Sequence, residues 1–326
     1  MHKLTCITNN MQYDITPITG SINWQSNIDT LGQQLSFEVA FNDDRFFPKN
    51  PVDLGSLMVL TGASEILRAI VIKEDRQGRG AIKYTAFDYA FYLNKSKNVY
   101  QFTNLSADAA INKVTTDMGV SIGSIATMST PITKIYKDNT GADVMKDILD
   151  QVFKATGIKY RMEMREGKLF VEKQEDKLIQ ASFKLFEAGT SIDVMAAISS
   201  PSRSRSIEEM RNSIKIVSGD DKSVKIVGEA KDDALIAKYG LLQDVQNVED
   251  KDIAQANQTA QNQLKELGKI AEENGIDCPG DDAVRAGRLI VVTEQVTGMS
   301  GKYLIKDVAH TVRASIHTMH LGLGVV

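Results

Sequence analysis

Cysteine, tryptophan, proline and long apolar runs are all scarce in this sequence, whose 326 residues include two cysteines, one tryptophan and six prolines. Cys6 and Cys278 lie far apart, and the start "MHKLTCITNN" lacks the basic and then apolar segments of a secretory signal, so we expect two free thiols. The longest apolar stretches, such as "VMAAI" at 194–198, are much too short to span a bilayer. We therefore expect neither a disulfide scaffold nor a membrane partner.

Excess positive charge is also lacking, because 38 Lys and Arg face 42 Asp and Glu and the formal net charge is -4. Recognition of nucleic acid usually requires a dominant basic surface. The composition therefore argues against sequence-specific nucleic-acid binding. With 42% hydrophobic and 25% charged residues, it is typical of a soluble globular chain, and the length allows two or three domains.

Local catalytic signatures are absent as well, since the sequence contains no GxxxxGK[ST], HExxH, GxSxG or paired CxxC motif. Pairs of adjacent acids occur in polar or glycine-containing stretches, where carboxylates are usually solvated or cap helices: Glu208-Glu209, Asp220-Asp221, Asp232-Asp233 and Asp281-Asp282. We therefore predict no catalytic residue, no cofactor and no metal site, and a protein that is not an enzyme.

Residues 1–95 are predicted to form a β-domain. In "QLSFEVAF" the apolar Leu35, Phe37, Val39 and Phe41 alternate with Gln34, Ser36 and Glu38, which is the pattern of a half-buried strand. The strand patterns "EILRAIVIKED" and "GAIKYTAFDYAFYL" flank "RQGRG", whose glycines suit a tight connection.

Residues 96–185 are predicted to form a small α/β domain. "LSADAAINKVTTDMG" has a helical apolar stripe after Ser106, a candidate N-cap. "TGADVMKDILDQVFKATG" repeats this pattern, with Thr140 as the cap and Gly157 as the stop. "IKYRMEMREGKLFVEK" then predicts a hairpin that turns at Glu166-Gly167.

Residues 186–326 are predicted to form a second β-domain with a helical insertion at about 230–285. "SSPSRSRS" at 199–206 has the composition of a solvated linker, although Arg203 and Arg205 could also contact phosphate. "NSIKIVSGDDKSVKIVG" predicts a hairpin, and a thin apolar stripe predicts a helix over about 250–274. Strands are predicted again from Arg288 to the end of the sequence.

The two β regions resemble each other, which indicates an internal repeat. "GSLMVLTGAS" from Gly55 compares with "GRLIVVTEQVTGMS" from Gly287. Each copy then reaches a strand with an Ile-Lys-acid triplet, at 72–74 and 305–307, and each runs through a hairpin into a closing strand. The repeat predicts two related β-units with the α/β domain between them and polar helices inserted into the second.

The last predicted hairpin, "HTVRASIHTMHLGL" at 310–323, carries three of the four histidines. A turn at Arg313-Ala314 would place apolar residues opposite each other, whereas a one-residue slip would set Leu304 against Gly324. The expected pairs are Val312 with Ser315, His310 with His317, Val308 with Met319, and Leu304 with Leu323.

In this register His310 and His317 share one face and His320 points to the other. Two histidines are half of a zinc site, and no further ligand is evident nearby in the sequence, so we predict no metal there. The small residues Gly322 and Gly324 share the face of His320, where they would let another chain or helix approach closely.

Five stretches in order along the chain carry a resemblance to a known family: "IVIKEDRQGRG", "YTAFDYAFYLNKSK", "SIEEMRNSIKIVSG", "AKYGLLQ" and "HTMHLGL". The sequence resembles the baseplate hub proteins of contractile phage tails, phage-like elements and tailocins, which are related to the spike proteins of type VI secretion. The resemblance implies two tail-tube-like β-barrels per chain. It also implies a ring of three chains that matches a sixfold tail tube to a threefold spike.

The resemblance implies a fold that is mainly β with α+β insertions, and a structural hub with no catalytic residues. The partners implied are two further copies of the chain, the tail tube protein, the central spike, and also the tape-measure protein and a LysM-type baseplate protein. The chain would assemble in the bacterial cytoplasm and then form part of the tail baseplate. Candidate interface residues are Phe87, Tyr89, Phe91, Tyr92, His320, Gly322 and Gly324, although the aromatic residues could equally be barrel core.

Two other functions remain open at this point. A tail-associated peptidoglycan hydrolase would require a cleft that holds one buried carboxylate with a raised pKa. A monomeric β-rich binding module would require a concave apolar pocket.

Overall fold

The computed structural model describes residues 2–174, 178–184, 191–193, 197–220, 223–248 and 250–325. "VMAAI" at 194–198, the predicted domain boundary at 185/186 and Asp221 lie wholly or partly outside these residues. The fold is mainly β, as predicted.

The N-terminal strands form an antiparallel sheet that we call the first β-unit, in the spatial order β3-β4-β7-β6-β5-β1-β2. Leu35, Phe37 and Val39 alternate inward, as the sequence predicts, but the strand ends at Val39 and the prediction for Phe41 was wrong, because its side chain is exposed. Leu4 near one end of this order and Trp24 at the other belong to the same core, so the sheet curves around it. The strands are β1 (Lys3–Thr8), β2 (Met11–Asp14), β3 (Thr19–Asn27), β4 (Gln33–Val39), β5 (Leu57–Thr61), β6 (Glu65–Asp75) and β7 (Ile82–Phe87).

A small α/β domain with its own core follows. The Thr140 hydroxyl accepts a hydrogen bond from the Asp143 N–H at 3.2 Å, and Gly157 ends the same helix with a φ of 72°, as predicted. The hairpin turns at Glu166-Gly167, also as predicted. The elements are α1 (Ala90–Lys95), β8 (Lys97–Ser106), α2 (Ala107–Asp117), β9 (Ser121–Ile125), β10 (Pro131–Thr140), α3 (Gly141–Thr156), β11 (Tyr160–Arg165) and β12 (Lys168–Lys173).

The chain then forms a short antiparallel pair, β13 (Ser182–Lys184) and β14 (Ser191–Asp193), and the strand β15 (Ser199–Ser206). The prediction of a linker at 199–206 was wrong, because this segment pairs with residues 271–277 of the large sheet. Strand pairing supplies backbone hydrogen bonds whatever the side chains are, so a serine-rich composition does not prevent it.

Between β15 and the next strand of the large sheet lies a separate three-stranded sheet covered by a helix. The predicted helix over 250–274 was too long: a 3₁₀ turn at Asp250–Gln255 leads into a helix that ends before Gly268. Ile214 and Ile216 are buried, but a register shift after Ile216 leaves Val224 and Ile226 exposed. The elements are β16 (Ser213–Asp220), β17 (Ser223–Lys231), α4 (Asp233–Tyr239), β18 (Gln243–Asn247) and α5 (Ala256–Leu267).

The last strands complete a second β-unit in the spatial order β15-β19-β22-β21-β20. They are β19 (Ala271–Pro279), β20 (Leu289–Glu294), β21 (Met299–Arg313) and β22 (Ile316–Val325). Residues 271–279 are thus part of this sheet, although the sequence placed them in the helical insertion.

The second β-unit repeats the strand order of the first, because β15-β19-β22-β21-β20 corresponds to β3-β4-β7-β6-β5. The local details repeat as well. Gly55 and Gly287 both have positive φ, and their N–H groups donate to the carbonyls of Val71 and Ile305. One bulged residue then follows in each long strand. Val71 therefore corresponds to Ile305, whereas the sequence repeat had aligned residue 72 with residue 305.

The two β-units form one continuous twelve-stranded sheet because β3 pairs with β21. The first half of β21 pairs with β20, and its second half, from Asp307 to Val312, pairs with β3 on the same side. One long strand therefore belongs to both halves of the sheet.

The final hairpin turns at Ala314-Ser315, not at Arg313-Ala314. Both turn residues have positive φ, 49° and 65°. This conformation is typical of two-residue hairpin turns, which match the twist of the strands and usually contain Asn or Gly. The predicted register was wrong by two residues near the turn, where Val312 opposes His317 and His310 opposes Met319. Beyond the bulge Leu304 opposes Gly324, the pairing that the sequence disfavoured.

Candidate functional site at the junction of the two β-units

Residues 280–288 form the loop where both β-units and the α/β domain meet. The Ala286 N–H donates to the Ser26 hydroxyl of β3 at 3.1 Å. The Arg285 guanidinium donates to the Ile66 carbonyl of β6 at 2.6 Å and lies 3.3 Å from Glu163 of β11. A single loop of the second β-unit thus contacts the other two parts of the chain, and we take this junction as the candidate functional site.

One half of the junction is a buried charge cluster of Arg161, Glu163, Arg285 and Arg288, which we call the arginine cluster. The Arg288 guanidinium lies 2.8 Å from the Glu163 carboxylate, and both side chains are less than a tenth exposed. Among the residues that the structure describes, Arg161 Nε and Arg288 Nη1 are buried without a hydrogen-bond partner. Arg285 and Arg288 thus both pair with the Glu163 carboxylate, and Arg161 adds a third positive charge beside it.

The environment shifts the pKa values around this cluster. Burial would raise the pKa of Glu163, but Arg288 and Arg285 outweigh it and hold that pKa below its usual value. Burial lowers the pKa of Arg161 to about 10. Burial also raises the pKa of nearby Asp88 to about 7, although its carboxylate accepts hydrogen bonds from the Gln33 and Ala90 N–H groups.

The other half of the junction is a group of His2, Asp282, His310 and His317, which we call the histidine cluster. The Asp282 carboxylate lies 2.7 Å from His2 Nε2 and 3.6 Å from His317 Nδ1. His310 Nδ1 and His317 Nε2 are 3.1 Å apart. The expectation that no carboxylate or third histidine lies beside His310 and His317 was wrong, since Asp282 and His2 both lie next to His317. Local sequence pattern could not show this, because His2 and Asp282 come from distant parts of the chain.

Packing fixes the buried histidines in their neutral form. The His310 ring is stacked on Trp24 with ring centroids 4.5 Å apart. Burial, reinforced by His317, lowers the pKa of His310 to about 3. Burial lowers the pKa of His317 to about 4, although Asp282 opposes this shift. Both imidazoles are therefore neutral near pH 7.

The four aromatic residues predicted to lie at an interface do not share one surface: one packs in a core, two line a groove and one is exposed. Tyr89 packs against the core of the α/β domain, beside Gly167. Phe87 and Phe91 line a wide groove between the large sheet and α3. Tyr92 is 42% exposed and is the aromatic residue of this group that is most available to a partner.

The predicted glycine face of β22 is occupied by neighbouring side chains of the same chain. A Cβ atom at Gly322 would meet the Asp307 carboxylate, and one at Gly324 would meet the Lys306 side chain. A side chain at either position would therefore require Asp307 or Lys306 on β21 to move. His320 is exposed and lies 2.7 Å from Asp277.

Several described strands have an edge without a strand partner, and two of these edges belong to β15 and to the second half of β6. β15 pairs only with β19, so its other edge is open. The second half of β6, from Lys73 to Asp75, pairs only with β7. Open edges of this kind are ready templates for pairing with another chain, and the sequence pattern pointed to neither of them.

The wide groove, about 1570 Å³ in volume, is where a hydrolase would need its buried acid. Burial raises the pKa of Asp150, which lines the groove, but the side chain is exposed and lies between Lys146 and Lys154. Asp88 is fully buried but does not line the groove. Neither acid meets both requirements of that alternative.

The fold is that of prophage tail proteins. The 43 kDa tail protein of prophage MuSo2 from Shewanella oneidensis is similar with a TM-score of 0.72 and 11% identity, over 98% of both chains. No helix in the described part of the sequence is long and apolar enough to cross a bilayer.

The chain belongs to the YQBQ-like family, whose model matches residues 22–324. The Bacillus subtilis (strain 168) protein YqbQ is 28% identical over 79% of this chain and 77% of its own length. The phage-like element PBSX protein XkdQ of the same organism is 26% identical over 79% of this chain and 78% of its own length.

Proposed function

We propose that this protein is a structural, non-catalytic hub of a contractile phage-like tail, in which three copies present six β-units in a ring. The observation that carries this proposal is the strand order that the two β-units share. Three copies of a duplicated unit can match six equivalent tube subunits on one side and a threefold spike on the other.

The junction inside one chain provides a template for the junction between chains. In it, β3 of the first β-unit pairs with the second half of β21. By the repeat, β15 corresponds to β3, and the second half of β6 corresponds to that of β21. The two open edges are therefore the two halves of an equivalent junction, and β15 of one copy would pair with β6 of the next.

The repeat also gives the register of this contact. Paired residues can be followed from strand to strand across each β-unit, and the two rows correspond position by position. In the first β-unit the row is Val71, Ala86, Leu35 and Trp24. In the second β-unit it is Ile305, Leu323, Asn274 and Arg203. Within the chain, Gln25 opposes Ala309 and Ser26 opposes Val308. The corresponding pairs between chains are Ser204 with Asp75 and Arg205 with Glu74.

The charges of these edges agree with that register. Arg205 is exposed, and its guanidinium lies 3.6 Å from the Glu272 carboxylate. Facing it, Glu74 would supply a carboxylate of opposite sign, and opposite charges directly across two strands are favourable. Arg203 and Arg76 would also face each other, but each is already paired within its own chain, with Glu272 and Glu74.

The remaining partners are those that the family resemblance implies. The tail tube protein would stack on one side of the ring and the central spike on the other, with the tape-measure protein and a LysM-type baseplate protein as further neighbours. Exposed Tyr92, and His320 on the outer face of β22, are the predicted interface residues best placed to contact them. Assembly would take place in the bacterial cytoplasm, before the hub becomes part of the tail particle.

Cysteine cross-linking tests the proposed junction. In the double variant Ser204→Cys/Asp75→Cys, oxidation should give covalent dimers and a closed trimer, because directly opposed residues on antiparallel strands lie within disulfide range. The native thiols should not interfere, since burial raises the pKa of Cys6 and raises that of Cys278 to about 12. Non-reducing electrophoresis of the purified chain, over a concentration range, and of complete tail particles gives the result.

The matched control is Ser204→Cys/Lys83→Cys. Lys83 opposes Asp75 from the inner neighbour β7, so it lies one strand further from the proposed partner and out of disulfide range. Equal cross-linking in both variants, none in Ser204→Cys/Asp75→Cys in assembled particles, or a ladder that continues beyond three chains would each contradict the proposed ring.

A further inference from the structure

Three possible metal ligands converge at the junction from widely separated parts of the chain: His2 before β1, Asp282 in the loop at 280–288, and His317 on β22. Their ligand atoms all lie within 4.8 Å of one another. The set offers two imidazole nitrogens and one carboxylate, and the proposed hub role uses none of them.

The hydrogen bonds around His310 determine which nitrogen of His317 carries a proton. The Val284 carbonyl can only accept, so His310 Nε2 must donate to it across 2.9 Å. Neutral His310 therefore has a lone pair on Nδ1, and His317 Nε2 must donate to it across 3.1 Å. It follows that Nδ1 of neutral His317 has no proton.

That unprotonated nitrogen faces a carboxylate. His317 Nδ1 lies 3.6 Å from the Asp282 oxygen that also accepts from His2 Nε2. Two electron-rich atoms then oppose each other unless a proton or a metal cation lies between them.

Two glycines make room for this arrangement. A Cβ atom at Gly280 would overlap the His317 ring, and one at Gly62 would overlap the Asp282 carboxylate. Trp24 contacts the His2, His310 and His317 rings, with ring centroids 4.5–5.6 Å apart. The ligand side chains are thus positioned by packing from both β-units.

We propose that His2 Nε2, Asp282 and His317 Nδ1 bind one divalent transition-metal ion of the zinc class, with water as the fourth ligand. Imidazole nitrogens favour such ions over calcium and magnesium, which prefer all-oxygen sites. Metal-bound histidine usually donates its second N–H to a nearby acceptor, and His317 donates to His310 in this way.

The rearrangement required around Asp282 is small. Ligands about 2.0–2.2 Å from a tetrahedral zinc ion lie roughly 3.5 Å apart. The His317–Asp282 separation of 3.6 Å already matches, whereas the His2–Asp282 hydrogen bond of 2.7 Å would have to open by less than about 1 Å. The bound ion would connect the start of the chain to the second β-unit.

Titration of the chelator-stripped full chain with zinc chloride at pH 7.5, by calorimetry, tests this proposal. The chain must carry no histidine tag, because the imidazoles of a tag would themselves bind zinc. One equivalent of zinc should bind, and cobalt(II) should quench the fluorescence of Trp24, the only tryptophan. His2→Ala and Asp282→Ala should each weaken zinc binding by at least about 10–100-fold, the loss typical even of outer-shell residues.

His320→Ala is the matched control, since it removes an exposed imidazole that also lies 2.7 Å from a carboxylate, that of Asp277. Its zinc affinity should equal that of the wild type. The absence of saturable zinc binding by the wild type, or the same affinity in all three variants, would overturn the proposal. Circular dichroism identifies any variant that is not folded, and His2→Ala, which lies outside the strands, should disturb the sheet least.

Discussion

Replacing Glu163 with glutamine is expected to lower the free energy of unfolding by about 3–5 kcal/mol, the usual cost of removing one partner from a buried ion pair. Glutamine has a similar shape but no charge, so Arg285 and Arg288 would remain buried without a counter-ion. Because Glu163 lies in the α/β domain and both arginines lie in the loop of the second β-unit, the contact between these parts should weaken as well. Urea unfolding, followed by Trp24 fluorescence and by circular dichroism, measures the loss.

Glu172→Gln is the matched control on the neighbouring strand of the same small sheet. Glu172 pairs with Arg165 at 2.6 Å, but both side chains are about 30% exposed. Its loss should therefore cost less than about 1 kcal/mol, as for most solvent-exposed ion pairs. Similar losses in both variants would show that burial of the arginine cluster does not control its contribution to stability.

Lowering the pH from 7 to 5 is expected to cost about 2 kcal/mol for each of His310 and His317, because their pKa values in the folded protein are about 3 and 4. The unfolded chain takes up these protons near pH 6.5 and the folded protein does not. The unfolded state therefore binds more protons in this range, and stability falls as the pH falls.

The contribution of the two histidines has to be measured by comparing variants, because protonation of Asp88 changes the stability of the wild type in the opposite direction. The pKa of Asp88 is raised to about 7 by burial, so the folded state takes up this proton first, and Asp88 adds stability as the pH falls from 7 towards 4. In the presence of a chelator, His310→Gln and His317→Gln should each lose about 2 kcal/mol less than the wild type between pH 7 and pH 5. Exposed His320→Gln should behave like the wild type, and an unchanged pH dependence in all three variants would contradict the prediction.

The parts of the fold that depend on local pattern could be predicted from the sequence. The alternation around Phe37, the cap at Thr140 and the stop at Gly157 each depend on residues close together in the chain. The repeat between Gly55 and Gly287 was also visible, because both copies need a glycine with positive φ before the same strand.

Features that depend on distant partners could not be predicted. Residues 199–206 look like a linker because their strand partner lies about seventy residues later, beyond an inserted module. The last hairpin was placed in the wrong register because Ala314 and Ser315 adopt positive φ without the usual Asn or Gly, and because the bulge at Lys306 has no sequence signal.

The junction could not be predicted from local sequence pattern for the same reason. His2 and His317 lie at opposite ends of the chain, and Glu163 meets Arg285 and Arg288 only because β3 and β21 bring the domains together. Gly280, in a stretch with two acids, was the nearest available signal, since its missing side chain makes room for the His317 ring.

The continuity of β21 has a mechanical consequence. Six residue pairs, from Asp307 with Asn27 to Val312 with Ile22, join the two halves of the sheet side by side. A force that pulls these halves apart along the strand direction would load all of those pairs at once, in shear, and could not open them one after another. The joint should therefore tolerate abrupt tension far better than a hairpin that is peeled from one end.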